Sequence, residues 1–410
     1  MAQGSRLRVT WAIAALPMLA LAVLIGRLAI ADLLADRDAE AALSWWPHHT
    51  DARLRIATGE AEQGDRARAA TLARGVLADT PLAGTAQRVL ARIAELGGDE
   101  AQAQRHYRIA ARRAPRDRPT RAWLANHAAL RGDFATALGQ TDQLLRIAPT
   151  QLQDMLPVLA SYAAIEEART AFLRLLGEQS PPWRSPFLHW LSRQPDALPL
   201  ITALFSPLRA APHPLTTSER GAWIERLLVE GRVGEAQFLW IEAQSPERRK
   251  VLGNIVDGGF ELPPDNAGFG WYFNAVPGAT IHQEPGIGVA GAQALVVDFH
   301  DRRVPFAHVQ QRLALPAGRY ALRGRVRIDG LRNERGLLWT LRCDDGRSIA
   351  DSERFQGSSQ WRDFRVDFTR PAEACNGQTL TLRLDARIAP EQMIGGRIWF
   401  DDLRITSINH

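Results

Sequence analysis

The chain has 410 residues, 46% of them hydrophobic, which is enough for two cored domains at roughly 100 to 200 residues each. Its formal charge is +5, but only Lys250 among 50 Lys and Arg residues is a lysine, and the positive charge forms no run of five or six. That dispersal, with no glycine-aromatic signature of an RNA-binding sheet, argues against a nucleic-acid partner. The only cysteines, Cys343 and Cys375, lack the paired spacing of a zinc site.

Arg6 and Arg8 precede an uncharged apolar run from Val9 to Gly26, which as a helix covers about 27 Å. Arg27 interrupts it before Leu28 to Ala31, and an arginine near a helix end can snorkel to the headgroups. Trp11 falls where an interfacial aromatic is expected. Residues 1–36 therefore read as a cytoplasmic tip and a transmembrane anchor through residues 9–31. The positive-inside rule then sends the bulk of the chain to the periplasmic side of a bacterial inner membrane. The competing reading is a cleaved signal peptide ending at Ala29-Ile30-Ala31, and it also exports the chain. His48-His49, beside Trp45-Trp46, has no further metal ligand close in sequence and reads as a juxtamembrane pair.

From residue 37 to 250 the texture is alanine-rich and helical. Gly64, Gly98 and Gly132 are 34 residues apart, as are Ala69, Ala103 and Ala137. Ile56, Leu90 and Leu124 keep the same register, as do Ala57, Ala91 and Ala125, and Pro81, Pro115 and Pro149 close each unit. This period and these residue types resemble the tetratricopeptide repeat, a helix-turn-helix unit that stacks into a solenoid. The resemblance implies a concave surface for a protein partner, here an envelope protein. It also departs from the pattern, because Arg53, Gln87 and Arg121 occupy the early aromatic column. Past Pro149 the register weakens at Ser180-Pro181-Pro182 and returns at Trp223, Gly231, Ala236 and Trp240. The array read as a plain spacer is the alternative.

From 251 to 410 short alternating runs separated by Gly, Pro, Asn and Asp predict an all-β sandwich. Tyr320, Leu322, Gly324, Val326 and Ile328 form a buried face, opposite Arg323, Arg325 and Arg327. Leu337 to Cys343, Phe364 to Phe368 and Leu380 to Leu384 repeat the alternation. Ile398 and Phe400 share one parity whereas Leu403 and Ile405 have the other, which predicts a bulge at Asp401-Asp402. Cys343 and Cys375 are expected to form a disulfide in an exported domain.

Three stretches carry a more specific likeness: Asn254 to Glu261 with Phe269-Gly270-Trp271, then Gly288 to Leu295, and Ile398 to Ile405. They resemble the opening, early and closing strands of jelly-roll carbohydrate-binding modules. The resemblance implies glycan binding and a structural calcium joining the terminal strands, held at the positions of Glu261 and Asp401. For sugar contact, Trp271, Tyr272 and Trp361 are the candidate stacking aromatics, with Arg323 and Arg325 as candidate donors to an anionic glycan. Trp339 belongs by parity with the core. No net charge supports the arginine face, since 19 Arg meet 19 acidic residues from position 251 onward.

Gly286-Ile287-Gly288-Val289-Ala290-Gly291 matches a dinucleotide-binding pattern but lacks the strand and helix that such a loop needs. HExxH and GxSxG are absent, and no carboxylates pair as acid and base. The sequence thus predicts a non-enzymatic, membrane-anchored envelope adaptor in polysaccharide assembly. The alternatives are a scaffold whose sandwich binds protein, or a divergent glycan-active enzyme.

Overall fold

The computed structural model describes residues 3–286 and 291–408, with side chains from Met18 onward. The expected interfacial place of Trp11, the flanking Arg6 and Arg8, and the central part of the Gly288-Val289-Ala290 motif lie outside the described residues. Two compact units divide between Arg184 and Ser185.

The first unit contains α1 (Gln3–Ala35), α2 (Ala39–Trp45), α3 (Thr50–Gln63), α4 (Arg66–Asp79), α5 (Gly84–Leu96) and α6 (Glu100–Arg113). It continues with α7 (Arg118–Leu130), α8 (Phe134–Ile147), α9 (Leu152–Ala164) and α10 (Glu166–Arg174). Helices α3, α5 and α7 start 34 residues apart, and so do α4, α6 and α8. The 34-residue columns of the sequence are thus helical hairpins. Gly64, Gly98 and Gly132 end the first helix of each hairpin at positive φ, where a Cβ would be strained. The aspartate that follows then caps the second helix: Asp65, Asp99 and Asp133 accept backbone N–H groups from Arg68, Gln102 and Thr136. Ala69, Ala103 and Ala137 are fully buried, so the helices approach without side chains between them. The run ends where Ser180 takes a left-handed conformation before Pro181-Pro182.

Among the described residues, Met18–Ala35 of α1 is long and apolar enough to cross a membrane. Met18 to Ile25 is largely exposed, whereas Ala31 and Ala35 are buried, and Ala35 packs with Ala42 and Ala52. Arg27 Nε donates to the Trp45 carbonyl at 3.0 Å, and His49 Nε2 lies 2.7 Å from Asp32 Oδ1. The last turns of α1 are therefore docked on α2 and α3.

The second unit begins with α11 (Arg184–Ser192), α12 (Leu198–Leu208), α13 (Thr217–Val229), α14 (Val233–Glu242) and α15 (Pro246–Arg249). Among the described residues ten strands follow: β1 (Trp271–Phe273), β2 (Ala279–Pro285), β3 (Gln293–Arg303), β4 (Val309–Leu313), β5 (Gly318–Arg332), β6 (Leu337–Cys343), β7 (Ser348–Asp351), β8 (Gly357–Arg370), β9 (Gln378–Leu384) and β10 (Met393–Ser407). They form two five-stranded antiparallel sheets, ordered β1-β4-β9-β6-β7 and β2-β3-β10-β5-β8. The faces predicted to be apolar turn toward one shared core, which includes Leu322, Val326, Leu337, Trp339, Phe364, Leu380 and Phe400. In β10 the register jumps between Asp401 and Arg404, and Asp402 has φ 54°. That bulge returns Leu403 and Ile405 to the core side already occupied by Ile398 and Phe400.

The segment before β1 closes the sandwich along β10. Leu403 N–H donates to the Gly258 carbonyl at 2.9 Å, and Asn254 Nδ2 donates to the Ile405 carbonyl at 3.0 Å. A Cβ at Gly258 would overlap the Leu403 carbonyl, so glycine is required there. Cys343, at the end of β6, is bridged to Cys375 before β9.

Two outcomes test these elements. Hydrogen bonds from Thr136, side chain and then backbone, hold the Asp133 carboxyl below its ordinary range. A lowered folded pKa gives stability that is present above the unfolded value near ~3.9 and is lost as pH falls through the folded pKa. Asp133→Ala should cost about 1 kcal/mol in urea unfolding at neutral pH, and the difference should shrink below about pH 3. The bridge closes a loop with a sequence separation of 32. Replacing Cys343 and Cys375 by serine should lower the stability of the second unit by about 2–4 kcal/mol, read from its own denaturation transition.

Candidate functional site

The opening segment and the β10 bulge bring two carboxylates to one glycine. Glu261 Oε1 accepts the N–H groups of Ala292 and Gln293 at 2.9 and 3.1 Å. Asp401 is fully buried, and its Oδ1 accepts the N–H of Asp402 at 2.6 Å. A Cβ built on Gly259 would lie 3.7 Å from Glu261 Cγ and 3.8 Å from Asp401 Oδ1, so both side chains flank that residue. Nearby, Asp257 accepts the N–H groups of Glu261 and Leu262, and burial pushes its carboxyl above the ordinary range despite them. An all-oxygen donor set of this kind suits a hard cation rather than zinc. Among the described residues no group of three or more His, Cys, Asp or Glu side chains converges, so further ligands would have to be backbone carbonyls, amide or hydroxyl oxygens, or water.

The candidate aromatics separate by strand parity. Trp271 is only 3% exposed: it packs between Phe260 and Trp339 and donates Nε1–H to the Asp257 carbonyl at 3.0 Å. Its expected role as an exposed stacking platform is therefore corrected. Adjacent residues on a strand face opposite ways, and here Trp271 takes the core side while Tyr272 takes the outer one. Trp361 is half-buried on the outside of the second sheet, against a cluster of Ala294, Val296 and Trp399.

Arg323 and Arg325 of β5 share the outer face of the second sheet with Trp361 of β8, whereas Tyr272 belongs to the other sheet. Arg323 is exposed, and Arg325 Nε lies 3.3 Å from Asp363 Oδ1. The sequence reading missed Trp399 at the middle of this face. Arg327 and Arg397 lie over its ring at 4.9 and 5.4 Å, and its Nε1–H donates to Glu284 at 3.0 Å. The alternation Ile398-Trp399-Phe400 already placed it opposite the core. Since its ring is covered by two guanidinium groups, it offers little free surface.

A cleft of about 560 Å³ lies within the second unit, where α13 and α14 meet the 265–268 loop, β1 and β4. Tyr272 lines it, with its hydroxyl donating to the Gly268 carbonyl at 3.3 Å. The Arg312 guanidinium stands 5.8 Å from the Tyr272 ring centre. Glu225 holds that arginine, its two oxygens 2.8 and 3.0 Å from Arg312 Nη1. Asp265 is tied to Arg248 at 2.6 Å, and Asn266 Oδ1 accepts the Phe273 N–H at 2.8 Å. Burial pushes the Tyr272 phenol up, so it is neutral and keeps its proton at physiological pH. The Asp265 carboxyl is also raised by burial, against the opposing charge of Arg248. A half-buried aromatic ring, amides and guanidinium groups around an open cleft suit a small polar ligand with an apolar ring face.

No family model matches the chain, and no curated protein matches it. Solved structures do resemble part of it. A family 4 carbohydrate-binding module is 17% identical, with 38% of this chain and 99% of that one covered, at a TM-score of 0.29. A family 16 carbohydrate-binding module is 17% identical over 38% and 100% of the two chains, at a TM-score of 0.27. The family 22 and catalytic modules of a Clostridium thermocellum endo-1,4-β-D-xylanase, solved with xylohexaose, are 19% identical over 38% and 28%, at a TM-score of 0.25. Likeness at these TM-scores carries no functional weight, and the sandwich stands on its own two sheets.

Proposed function

We propose that this chain is a membrane-anchored envelope adaptor that binds glycan through its β-sandwich and an envelope protein through its helical hairpins, in cell-surface polysaccharide assembly. The observation that carries the glycan reading is the cleft edged by Tyr272, where a ring face, amides and guanidinium groups border one opening. The sequence likeness of the opening and closing strands to carbohydrate-binding modules supports it. Glu261 and Asp401 would hold a calcium ion that fastens the opening segment to β10, where it would act as a structural clamp. Trp361, Arg323 and Arg325 form a secondary candidate surface on the other sheet.

Binding rather than catalysis is favoured because the cleft carboxylates are engaged. Glycoside hydrolysis needs one free acid and one base or nucleophile, whereas Glu225 and Asp265 are each ion-paired to arginine. The tetratricopeptide-like reading of the array rests on the 34-residue repetition of its hairpins, which when stacked offer a concave surface to a partner. Retention of the N-terminal helix as an anchor is supported by Ala31: it is buried among helices rather than presented in the extended form that a peptidase takes. Export is supported by the disulfide, which needs an oxidising compartment.

Two experiments test this reading. The full chain in detergent, screened on neutral and acidic glycans with and without calcium, should bind at least one class. No binding to any glycan, together with capture of a protein by the sandwich, would establish the scaffold reading instead. Alkaline extraction of membranes should leave the chain in the pellet with residues before Ala31 intact by mass spectrometry, and a soluble product starting at Asp32 would sink the anchor.

A further inference from the structure

The charges that line the Tyr272 cleft are not equally engaged. Arg312 is held by Glu225, and Asp265 is held by Arg248. Arg220, in the first turn of α13, lines the same cleft, yet its guanidinium makes no hydrogen bond or ion pair among the described residues. Two polar groups beside it also keep free valences. Gln244 uses Nε2 on the Trp240 carbonyl and leaves Oε1 as an acceptor; Asn266 uses Oδ1 on Phe273 and leaves Nδ2 as a donor. The cleft therefore holds the Arg220 guanidinium without an ion-pair partner among the described residues, beside a free amide donor, a free amide acceptor and the Tyr272 ring, while Asp265 Oδ2 is a further acceptor without a hydrogen-bond partner.

Resting on the glycan reading above, we infer that the cleft binds an acidic saccharide of the uronic-acid type. The sugar carboxylate pairs with Arg220, ring hydroxyls meet Gln244 and Asn266, and a ring face lies on Tyr272. A planar guanidinium donates two parallel N–H···O bonds to a carboxylate, which a neutral hydroxymethyl group cannot reproduce. The volume of about 560 Å³ falls within the roughly 300–1,000 Å³ range of small-ligand sites, so a short oligosaccharide fits rather than a long chain in an extended groove. Arg220 comes from α13 and Gln244 from the connection that follows α14, so the site is shared by this helical segment and the sandwich of the same compact unit. The helical segment then determines which sugar the sandwich holds.

Calorimetry on the full chain tests this, with oligogalacturonate and neutral galacto-oligosaccharide of equal length as probes. Wild type should bind the acidic probe about tenfold or more tightly over the neutral one, as expected for a charge-assisted pair. Arg220→Gln should remove most of that preference and leave thermal unfolding unchanged, because Arg220 makes no hydrogen bond or ion pair among the described residues. Tyr272→Ala should weaken both probes, while Arg323→Gln with Arg325→Gln, on the secondary candidate surface, should leave the acidic-over-neutral preference in place. If Arg220→Gln leaves the acidic preference intact, or if the loss follows Arg323 and Arg325, the cleft inference is overturned and glycan binding stands. If wild type binds neither these probes nor any other glycan, the glycan reading falls with it.

Discussion

Strand β10 pairs with β3 on one side and β5 on the other, and its irregularity at Asp401-Asp402 governs much of the C-terminal unit. A strand that must keep Ile398, Phe400, Leu403 and Ile405 on one face cannot do so at a strict period of two. The extra residue resolves that conflict. It carries Asp401 into a fully buried position and sets Leu403 where Gly258 can pair with it. The opening segment, the Glu261 turn and the placement of β1 all follow from that pairing. A buried carboxylate is costly unless its oxygens are bonded, which ties the geometry of the bulge to whatever else Asp401 and Glu261 hold.

The helical unit rests on a different constraint, the close approach of helices without bulky side chains between them. The repeated alanines supply the approach, and each Gly-Asp turn ends one helix and caps the next in two consecutive residues. The N-terminal helix uses the same device, because Ala35 meets Ala42 and Ala52. The apolar stretch is therefore joined to the array without a linker, and the first hairpin is held close to the end of the apolar stretch of α1.

At the cleft, the helices supply chemistry as well as support. Trp240 of α14 packs against Phe269 at a ring separation of 6.0 Å, and Arg248 reaches back to Asp265. These contacts fix the 265–268 loop against the last hairpin, and the loop in turn fixes the Tyr272 hydroxyl. Glu225 and Asp265 are ion-paired to arginines at the cleft, Asp265 Oδ2 keeps no hydrogen-bond partner, and Arg220 makes no ion pair among the described residues.

The sequence by itself determined the order of elements: an apolar N-terminal helix, hairpins at a 34-residue period, and alternating strands with a bulge at Asp401-Asp402. It could do so because periodicities of 34, 3.6 and 2 are local, and because Gly, Asp and Pro act through their own backbone preferences. The disulfide was also legible, since only two cysteines exist. Only the tertiary structure decided which of Trp271 and Tyr272 faces outward, because parity fixes that the two differ but not which one meets the opposing sheet. The resemblance had already implied that Glu261 and Asp401 meet, and the fold sets both beside Gly259, but the tertiary structure alone assembled Arg220, Gln244, Asn266 and Tyr272 around one opening. Those residues lie on separate elements, and no local pattern encodes a distance across the fold.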